Sequence, residues 1–233
     1  LSSPIYSGVS GTVNGITDLL MADGRTVPAI TIEADGEQTV CETITPPTIG
    51  DKAELIKAIK DSGIVGLGGA GFPTYAKFTT DKKIETLIIN GAECEPYITS
   101  DSITMTKDAE DIVFAIQTLL KYFQIDKAII GIENNKPNAI SAIKTAIGDN
   151  AQISVKVLPS VYPQGGEKVL IYHTTGKVVP KGKLPIDVGC VVINSTTTAF
   201  IGKYIKTGMP LVEKCVTVDG SAVKEPKNVI VPI

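Results

Sequence analysis

The first part of the sequence, residues 1–47, is divided by glycines into short runs of β-type residues. One such run is 27–32, which contains valine, isoleucine and threonine. The separating glycines are Gly8, Gly11, Gly15, Gly24 and Gly36. Short apolar runs bounded by turn residues are typical of strands and hairpins. The pattern therefore predicts a small all-β domain over residues 1–47, with a tight turn at Asp23-Gly24.

From residue 48 onwards, amphipathic segments alternate with short, continuously apolar segments. The helical period predicts helices over 52–61, 107–123, 137–146, 167–174 and 199–206. The apolar runs predict strands over 86–90, 128–133, 153–158 and 190–194. Strands without a polar face must be covered on both sides, and helices between them allow parallel pairing. We therefore expect an α/β domain over 48–210, a Rossmann-like parallel sheet with helices on both faces.

Ligands of such sheets bind beyond the carboxyl ends of the strands, which directs attention to the connecting loops. The segment 63–78 concentrates Gly66, Gly68, Gly69 and Gly71 just before Phe72. A backbone without Cβ atoms can approach a flat ring or a phosphate closely and present its N–H groups to it. The spacing also fits GxGxxG, but a helix is predicted before this loop and a proline follows it, which disfavours a Rossmann fingerprint. A flexible surface loop is the remaining alternative.

Three further loops follow predicted strands or open predicted helices. Asn90 ends a strand and is followed by Glu93 and Glu95, whose carboxylates suit hydroxyl or amide groups of a ligand, although a solvated acidic turn is the alternative. The run 165–167 opens a helix, where free N–H groups favour an anion or a polarised ring, or simply start the helix. The run 194–198 offers donors for a phosphate, or else a helix cap.

Composition, net charge and cysteine spacing argue against several classes of protein. Of 233 residues, 43% are hydrophobic and the net charge is −3, without a basic block. A nucleic-acid partner is therefore not expected, and no apolar run approaches the roughly 18 residues of a membrane helix. The four cysteines, at 41, 94, 190 and 215, lack the spacing of a metal or cluster site. We expect reduced thiols, no metal site, a cytoplasmic location, and a chain cut from a longer protein.

Several long segments, taken together, resemble one family. They are GLGGAGFPTYAKF, LIINGAECEPYIT, GIENNKPNAI, YPQGGEKVLIYHTTGKVVP and LPIDVG, in this order along the chain. They resemble the RnfC subunit of the Rnf electron-transport complex, which is related to the flavin subunit of respiratory complex I. The resemblance covers almost the whole chain. It implies a small barrel-sandwich-like β domain, an FMN- and NADH-binding domain, and, over 211–233, the start of a β-rich (SLBB-like) domain.

The resemblance also assigns roles to individual residues. It implies FMN contacts from Gly66, Gly68, Gly69, Lys77, Asn90, Glu93, Tyr162, Gly165, Gly166, Asn194 and Ser195. It implies NADH contacts from Phe72, Lys77, Glu95 and Glu167. The position of Leu67 is usually arginine in the complex I relatives and that of Gly166 usually glutamate, so NADH binding follows the pattern less closely than FMN binding. The N-terminal segment also resembles biotinyl and lipoyl modules, but its turn lacks the lysine that they modify.

The implied activity is that of an electron-transport oxidoreductase. NADH would pass hydride directly to FMN, so no catalytic acid or base is expected. Electrons would continue to [4Fe–4S] clusters in a C-terminal part absent from this sequence, and then to ferredoxin or other subunits of a membrane complex, with which the protein would associate peripherally. Alternatives are a relative serving cobalamin or a proline-reductase-associated carrier, and a docking scaffold that has lost its flavin. The single histidine, His173, is expected to be structural.

Overall fold

A computed structural model describes residues 2–233. The helices are α1 (Lys52–Asp61), α2 (Thr74–Phe78), α3 (Ser100–Lys107), α4 (Ala109–Phe123), α5 (Pro137–Ile147), α6 (Glu167–Thr175) and α7 (Ser195–Thr207). The strands are β1 (Gly11–Leu20), β2 (Thr26–Ala34), β3 (Thr86–Gly91), β4 (Lys127–Glu133), β5 (Ile153–Leu158), β6 (Cys190–Asn194), β7 (Glu213–Val218) and β8 (Lys227–Pro232). A short 3₁₀ turn, Pro185–Val188, precedes β6.

Helix boundaries follow local capping chemistry. The Asp51 carboxylate accepts the backbone N–H of Glu54 at 2.8 Å and so begins α1. Proline at the first position begins α5, where no intrahelical N–H is needed. Gly176 and Gly208 end α6 and α7 with φ values of +75° and +76°, a conformation that glycine adopts without strain.

The central sheet has four parallel strands in the order β5-β4-β3-β6. The chain moves from β3 outward to β5 and then crosses back to place β6 on the other side of β3. The helices that follow β3 and β6 pack on the same face of the sheet, so the loops leaving these two neighbouring strands lie side by side at its carboxyl edge, and the surface between them is termed the crevice. Such a switch point is where open parallel sheets bind ligands.

Alternate side chains of the strands pack into two apolar clusters on opposite faces of the sheet. The larger cluster includes Leu87, Ile89 and Ile130 and is covered by α1, α3, α4, α5 and α7. The smaller includes Ile88 and Val192 and is covered by α6. Helices on both faces of a parallel sheet, preceded by a small antiparallel β region, confirm the predicted fold class.

Two antiparallel hairpins flank this sheet. The first joins β1 to β2 through the predicted turn at residues 21–25, with Gly24 at φ +83°. The second pairs β7 with β8 and contacts α3. The predicted domain boundaries at 47/48 and 210/211 stay predictions. Among residues 2–233, no helix has the length and apolar character required to cross a lipid bilayer.

The predicted elements differ from the observed ones in two places. The helix predicted over 107–123 is α4, which begins at Ala109 because the backbone leaves helical geometry at Asp108, and residue 107 ends a separate helix, α3, that was not predicted. The helix predicted over 199–206 starts four residues earlier, since the Asn194 side chain accepts the N–H of Thr197 at 3.0 Å. In both cases residues of poor helix propensity are helical because side-chain oxygens satisfy their N–H groups.

Candidate functional site

The predicted site residues come from separate loops that meet at the carboxyl edge of the sheet. The glycine loop, residues 63–73, lies against the first turn of α7. The loop after β3, residues 92–99, lies against the loop before α6, residues 159–166. The structure therefore brings together the segments that the sequence marks as unusual.

Contacts on its inner side fix the glycine loop to α7. The N–H of Leu67 donates to the Thr197 hydroxyl at 2.9 Å, and Leu67 itself lies in the apolar core. A Cβ on Gly68 would lie 2.6 Å from Nδ2 of Asn194, so a side chain does not fit there. Gly69 and Gly71, at φ +156° and +62°, would have no atom within 4 Å of a Cβ. The outer side of the loop is therefore bare backbone that faces open space. Unlike a Rossmann fingerprint, this segment has no strand before it and no helix beginning within it.

The loop after β3 is joined to the loop before α6 at Gly165. The Asn90 amide donates to the Gly165 carbonyl at 2.9 Å, and the Gly165 N–H donates to Sγ of Cys94 at 3.2 Å. A Cβ on Gly165 would lie 3.1 Å from the same sulfur, which is tighter than ordinary contact. The two loops therefore form one wall of the crevice, and a residue without a side chain is favoured at their meeting point.

The N-terminus of α7 forms the opposite wall. Asn194 uses both ends of its amide: Oδ1 caps the N–H of Thr197, and Nδ2 donates to Oδ2 of Asp101 at 2.7 Å. The next residue, Ser195, has a fully buried hydroxyl without a hydrogen-bond partner among the described residues. Buried polar atoms are normally paired, and a helix N-terminus attracts anions. This end of the crevice has the donor chemistry of a phosphate site.

Glu93 directs its carboxylate into the protein. The residue has φ +48°, and its carboxylate accepts the N–H groups of Asp101 at 2.5 Å and Ser102 at 3.1 Å, at the start of α3. Burial, and then the nearby Asp101 carboxyl, raises the pKa of Glu93 to about 7. Burial also raises the pKa of Asp101. The predicted contact of Glu93 with FMN stays a prediction, and the carboxylate is already engaged by the protein backbone.

Replacing Glu93 with Gln is expected to change how stability depends on pH. The folded chain retains the Glu93 proton from about pH 4.3, where an unfolded chain loses it, up to about 7. The free energy of unfolding of the unmodified chain therefore falls through this window relative to the variant. We expect the Gln variant to gain about 1 to 2 kcal/mol relative to the unmodified chain between pH 4 and pH 8, after allowance for partial exposure of the group.

Urea denaturation at several pH values measures this difference directly. The matched control is Glu95→Gln, which changes an exposed carboxyl two residues away. A difference between the Glu93 variant and the unmodified chain that stays constant from pH 4 to pH 8 would contradict the buried-carboxyl interpretation.

Lys77 connects the short helix α2 to two other parts of the site. Its ammonium group lies 3.0 Å from Oε1 of Glu167 and donates to the carbonyl of Val192 at 2.7 Å. Lys77 and Glu167, both predicted ligand contacts, are therefore brought together as an ion pair. A bound anion near Lys77 would compete with Glu167 for the same ammonium group.

The outer rim of the crevice carries the remaining predicted residues. Phe72 is 42% exposed and Tyr162 is 69% exposed. Glu95 is exposed, and its negative charge and a hydrogen bond raise the pKa of the Tyr162 phenol. Gly166 precedes α6 at φ −60° and begins that helix without a side-chain cap. Glu95 thus points to the solvent side of the crevice, whereas Glu93 points to the protein interior.

Sequence reasoning missed two residues of this site, Asp101 and Lys136. The Asp101 carboxylate accepts a hydrogen bond from the Thr196 hydroxyl at 2.5 Å, and the Lys136 ammonium group lies 3.4 Å from the Glu93 carbonyl. A helix-start signal was available, since Thr99, Ser100 and Asp101 are residues typical of helix N-termini. His173, for which the sequence indicates no ligand, hydrogen-bonds through Nδ1 to the buried Gln164 of the loop before α6.

A shallow depression of about 520 Å³ lies at the opposite edge of the sheet, near the amino ends of β3 and β6. It is lined by charged residues, including Glu85 and Lys177, whose side chains pair at 2.6 Å. None of the predicted site residues borders it, and its salt-bridged lining offers no unpaired donors comparable with Ser195. We therefore place the functional site at the carboxyl edge.

Comparison with known sequences identifies close relatives. The Nuo51 FMN-binding domain matches residues 59–203. The C subunit of the proton-translocating ferredoxin:NAD(+) oxidoreductase complex of Clostridium ljungdahlii is 42% identical over 240 residues, which cover 100% of this chain and 52% of that protein. The corresponding C subunit of the Na(+)-translocating complex of Acetobacterium woodii is 42% identical over 238 residues, covering 100% of this chain and 54% of that protein. The chain thus spans about half the length of these relatives.

A solved structure shares the fold at lower sequence similarity. The NAD+-reducing [NiFe]-hydrogenase in its H2-reduced state superposes with a TM-score of 0.65 and 23% identity, over 80% of this chain and 38% of that one. This likeness supports the arrangement of sheet and helices described above.

Proposed function

Because this chain belongs to the RnfC family and carries a Nuo51 FMN-binding domain, we propose that it binds FMN and NADH and transfers electrons from NADH to the flavin. One observation supports this most directly. Four chain segments converge at the switch point of a parallel sheet, beside a helix N-terminus whose buried Ser195 hydroxyl has no partner among the described residues.

The residues at the α7 end fit the phosphate of FMN. Ser195 and Thr196 occupy the first turn of α7, whose N–H groups point out of the helix. Asn194 caps Thr197 and does not occupy those first N–H groups. The Ser195 hydroxyl adds a donor that the protein itself leaves unused. A phosphate there would gain hydrogen bonds and the favourable helix dipole.

The residues between the two walls fit a flat ring. Gly66, Gly68 and Gly69 expose backbone on one side, and Gly165 and Gly166 on the other. The missing side chains of Gly68 and Gly165 allow close packing against Asn194 and Cys94, which holds the two walls in place, and a Cβ on Gly69 would meet open space. FMN would supply the ring that accepts two electrons as hydride, and the protein would hold it beyond the ends of β3 and β6.

NADH would lie on the exposed side of the crevice. Phe72 presents aromatic surface there, and Glu95 presents a carboxylate suited to ribose hydroxyls or a carboxamide. Lys77 and Glu167 form the edge of the same region. Direct transfer between two stacked rings needs positioning rather than proton transfer, so the site requires no catalytic acid or base.

The electrons would leave toward parts of the protein outside this chain. Relatives twice as long are named as subunits of ferredoxin:NAD(+) oxidoreductase complexes. We propose that iron–sulfur clusters outside this chain accept these electrons, with ferredoxin or other subunits of a membrane complex as partners. This arrangement corresponds to a cytoplasmic protein attached peripherally to the membrane through its partners.

The proposal predicts that the purified chain binds FMN in preference to FAD. An adenylate attached to the phosphate would have to pass the Ser195 end of the crevice, where Asn194, Asp101 and Thr196 are already joined by hydrogen bonds. Titration of both flavins, followed by quenching of flavin fluorescence, measures the preference. Anaerobic addition of NADH to the FMN-loaded chain should then bleach the oxidised flavin.

The control for this experiment is Asp149→Asn, a change in the turn after α5 and away from the crevice, which should bind FMN like the unmodified chain. Tighter binding of FAD, or no binding of either flavin, would refute the proposed site. Flavin binding without reduction by NADH would refute the proposed electron donor.

A further inference from the structure

The contacts of Asp101 suggest a role in the crevice that the sequence did not reveal. Its backbone N–H donates to Glu93, which follows β3, and its carboxylate accepts from Asn194 and Thr196, at the end of β6 and the start of α7. Asp101 therefore joins the two sides of the switch point from the first turn of α3. Asn194 and Thr196 are 93 and 95 positions away from it in sequence.

Resting on the function proposed above, we propose that Asp101 is a positioning residue for the flavin phosphate. It would act through Asn194 and Thr196 without touching the phosphate. Its effect would be to orient the first turn of α7 so that the Ser195 hydroxyl and the first N–H groups remain available.

Asp101 fixes the orientation of the Asn194 amide. Because Nδ2 donates to Asp101 at 2.7 Å, Oδ1 must face the other way, where it accepts the N–H of Thr197 at 3.0 Å. Without Asp101 the amide loses one of the two contacts that distinguish its ends, and only the Thr197 N–H remains to orient it. The cap on α7 would then be less well defined, and with it the direction of the preceding N–H groups.

The hydroxyls in the first turn of α7 differ in whether they have hydrogen-bond partners. Thr196 donates its hydroxyl proton to Asp101, and Thr197 directs its hydroxyl toward the glycine loop. Ser195 alone among these neighbours has a buried hydroxyl with no partner among the described residues. The Asp101 contact thus divides the first turn of α7 into side chains that hold the structure and one that is free for a ligand.

Charge argues for positioning rather than for direct attraction. An ionised carboxylate beside a phosphate would repel it, and burial raises the pKa of Asp101, which favours the neutral form. The other charged groups near Asp101 are Glu93, Lys136 and Lys214. Asparagine in place of Asp101 can accept from Asn194 and donate to the Thr196 hydroxyl, so it should preserve the geometry without the charge.

The test compares FMN with riboflavin, which has the same ring and no phosphate. We expect Asp101→Ala to weaken FMN binding about fivefold or more, the effect of losing one hydrogen-bonded cap, and to leave riboflavin binding within about twofold. Asp101→Asn should bind FMN within about twofold of the unmodified chain. The matched control is Asp111→Asn, which removes an ion pair to Lys206 in the last turn of α7 and should change neither affinity.

The outcomes separate the inference from the proposed function. If the Ala variant weakens both flavins equally, or neither, Asp101 is not a positioning residue of the phosphate end. If the Ala variant fails to fold, as judged by circular dichroism, Thr196→Val removes one of the two contacts and should reduce FMN but not riboflavin affinity; an unchanged FMN affinity would then overturn the inference. An unmodified chain that binds neither flavin overturns the proposed function itself.

Discussion

Replacing Glu95 with Gln is expected to weaken the use of NADH about tenfold or more while leaving FMN affinity almost unchanged. The Glu95 carboxylate is exposed on the outer rim beside Tyr162, where NADH would lie. A hydrogen bond from a ligand to a charged group is worth about 1.5 to 3 kcal/mol, which corresponds to a factor of ten or more in affinity. The measurement is anaerobic flavin reduction at several NADH concentrations in the FMN-loaded variant.

One control accompanies the Glu95 variant. Glu110→Gln changes an exposed carboxyl on α4 and should leave the NADH dependence unaltered. An unchanged NADH dependence in Glu95→Gln, or loss of FMN from it, would show that the carboxylate serves a different ligand.

Replacing Gly202 with Ala is expected to destabilise the chain by about 3 kcal/mol, because it overfills a close helix contact. Gly202 lies in α7, where an added Cβ would be 2.2 Å from the carbonyl oxygen of Asp111 in α4. Backbone atoms of both helices would have to separate. Since α7 also forms one wall of the crevice, the same shift should weaken FMN binding. Urea denaturation and FMN titration of the same variant measure the two effects.

The matched control for Gly202 is Gly176, at the end of α6. An added Cβ there meets no atom within 4 Å, although φ is +75°. Gly176→Ala should therefore cost only about 1 kcal/mol, the strain of a left-handed residue. A stability of Gly202→Ala within about 0.5 kcal/mol of the unmodified chain would show that the two helices can move apart at little cost.

The parts of the fold that were predicted correctly are those encoded locally. Helix α1 and strands β5 and β6 have the predicted bounds, since capping residues and apolar runs mark them within a few positions. Helix α3 was missed because its N–H groups are satisfied by Glu93, a carboxylate outside the helix. The start of α7 was placed too late because serine and threonine have low helix propensity, and a cap within 194–198 is only one of two interpretations that the sequence allows.

In the candidate site too, the features encoded locally were predicted and those set by distant residues were not. The rule that parallel sheets bind ligands at the carboxyl ends of their strands directed attention to the connecting loops, and the structure places the loops after β3 and β6 side by side. It did not predict which side chains form the hydrogen bonds that hold these loops together. Asp101 was missed because its partners are about 90 positions away, and Glu93 was expected at a ligand although its carboxylate binds backbone. The individual ligand contacts stay predictions.

The order of strands has a consequence for local unfolding. Strand β3 is paired on both edges and covered on both faces, so its hydrogen bonds can open only when the whole parallel sheet opens. Among residues 2–233, the hairpin of β1 and β2 pairs only with itself, so it can open at a smaller free-energy cost without disturbing the sheet. Strand β3 forms the floor of the crevice, so this floor belongs to the cooperative unit that we expect to open most slowly. Its geometry should persist during fluctuations that open the hairpin of β1 and β2.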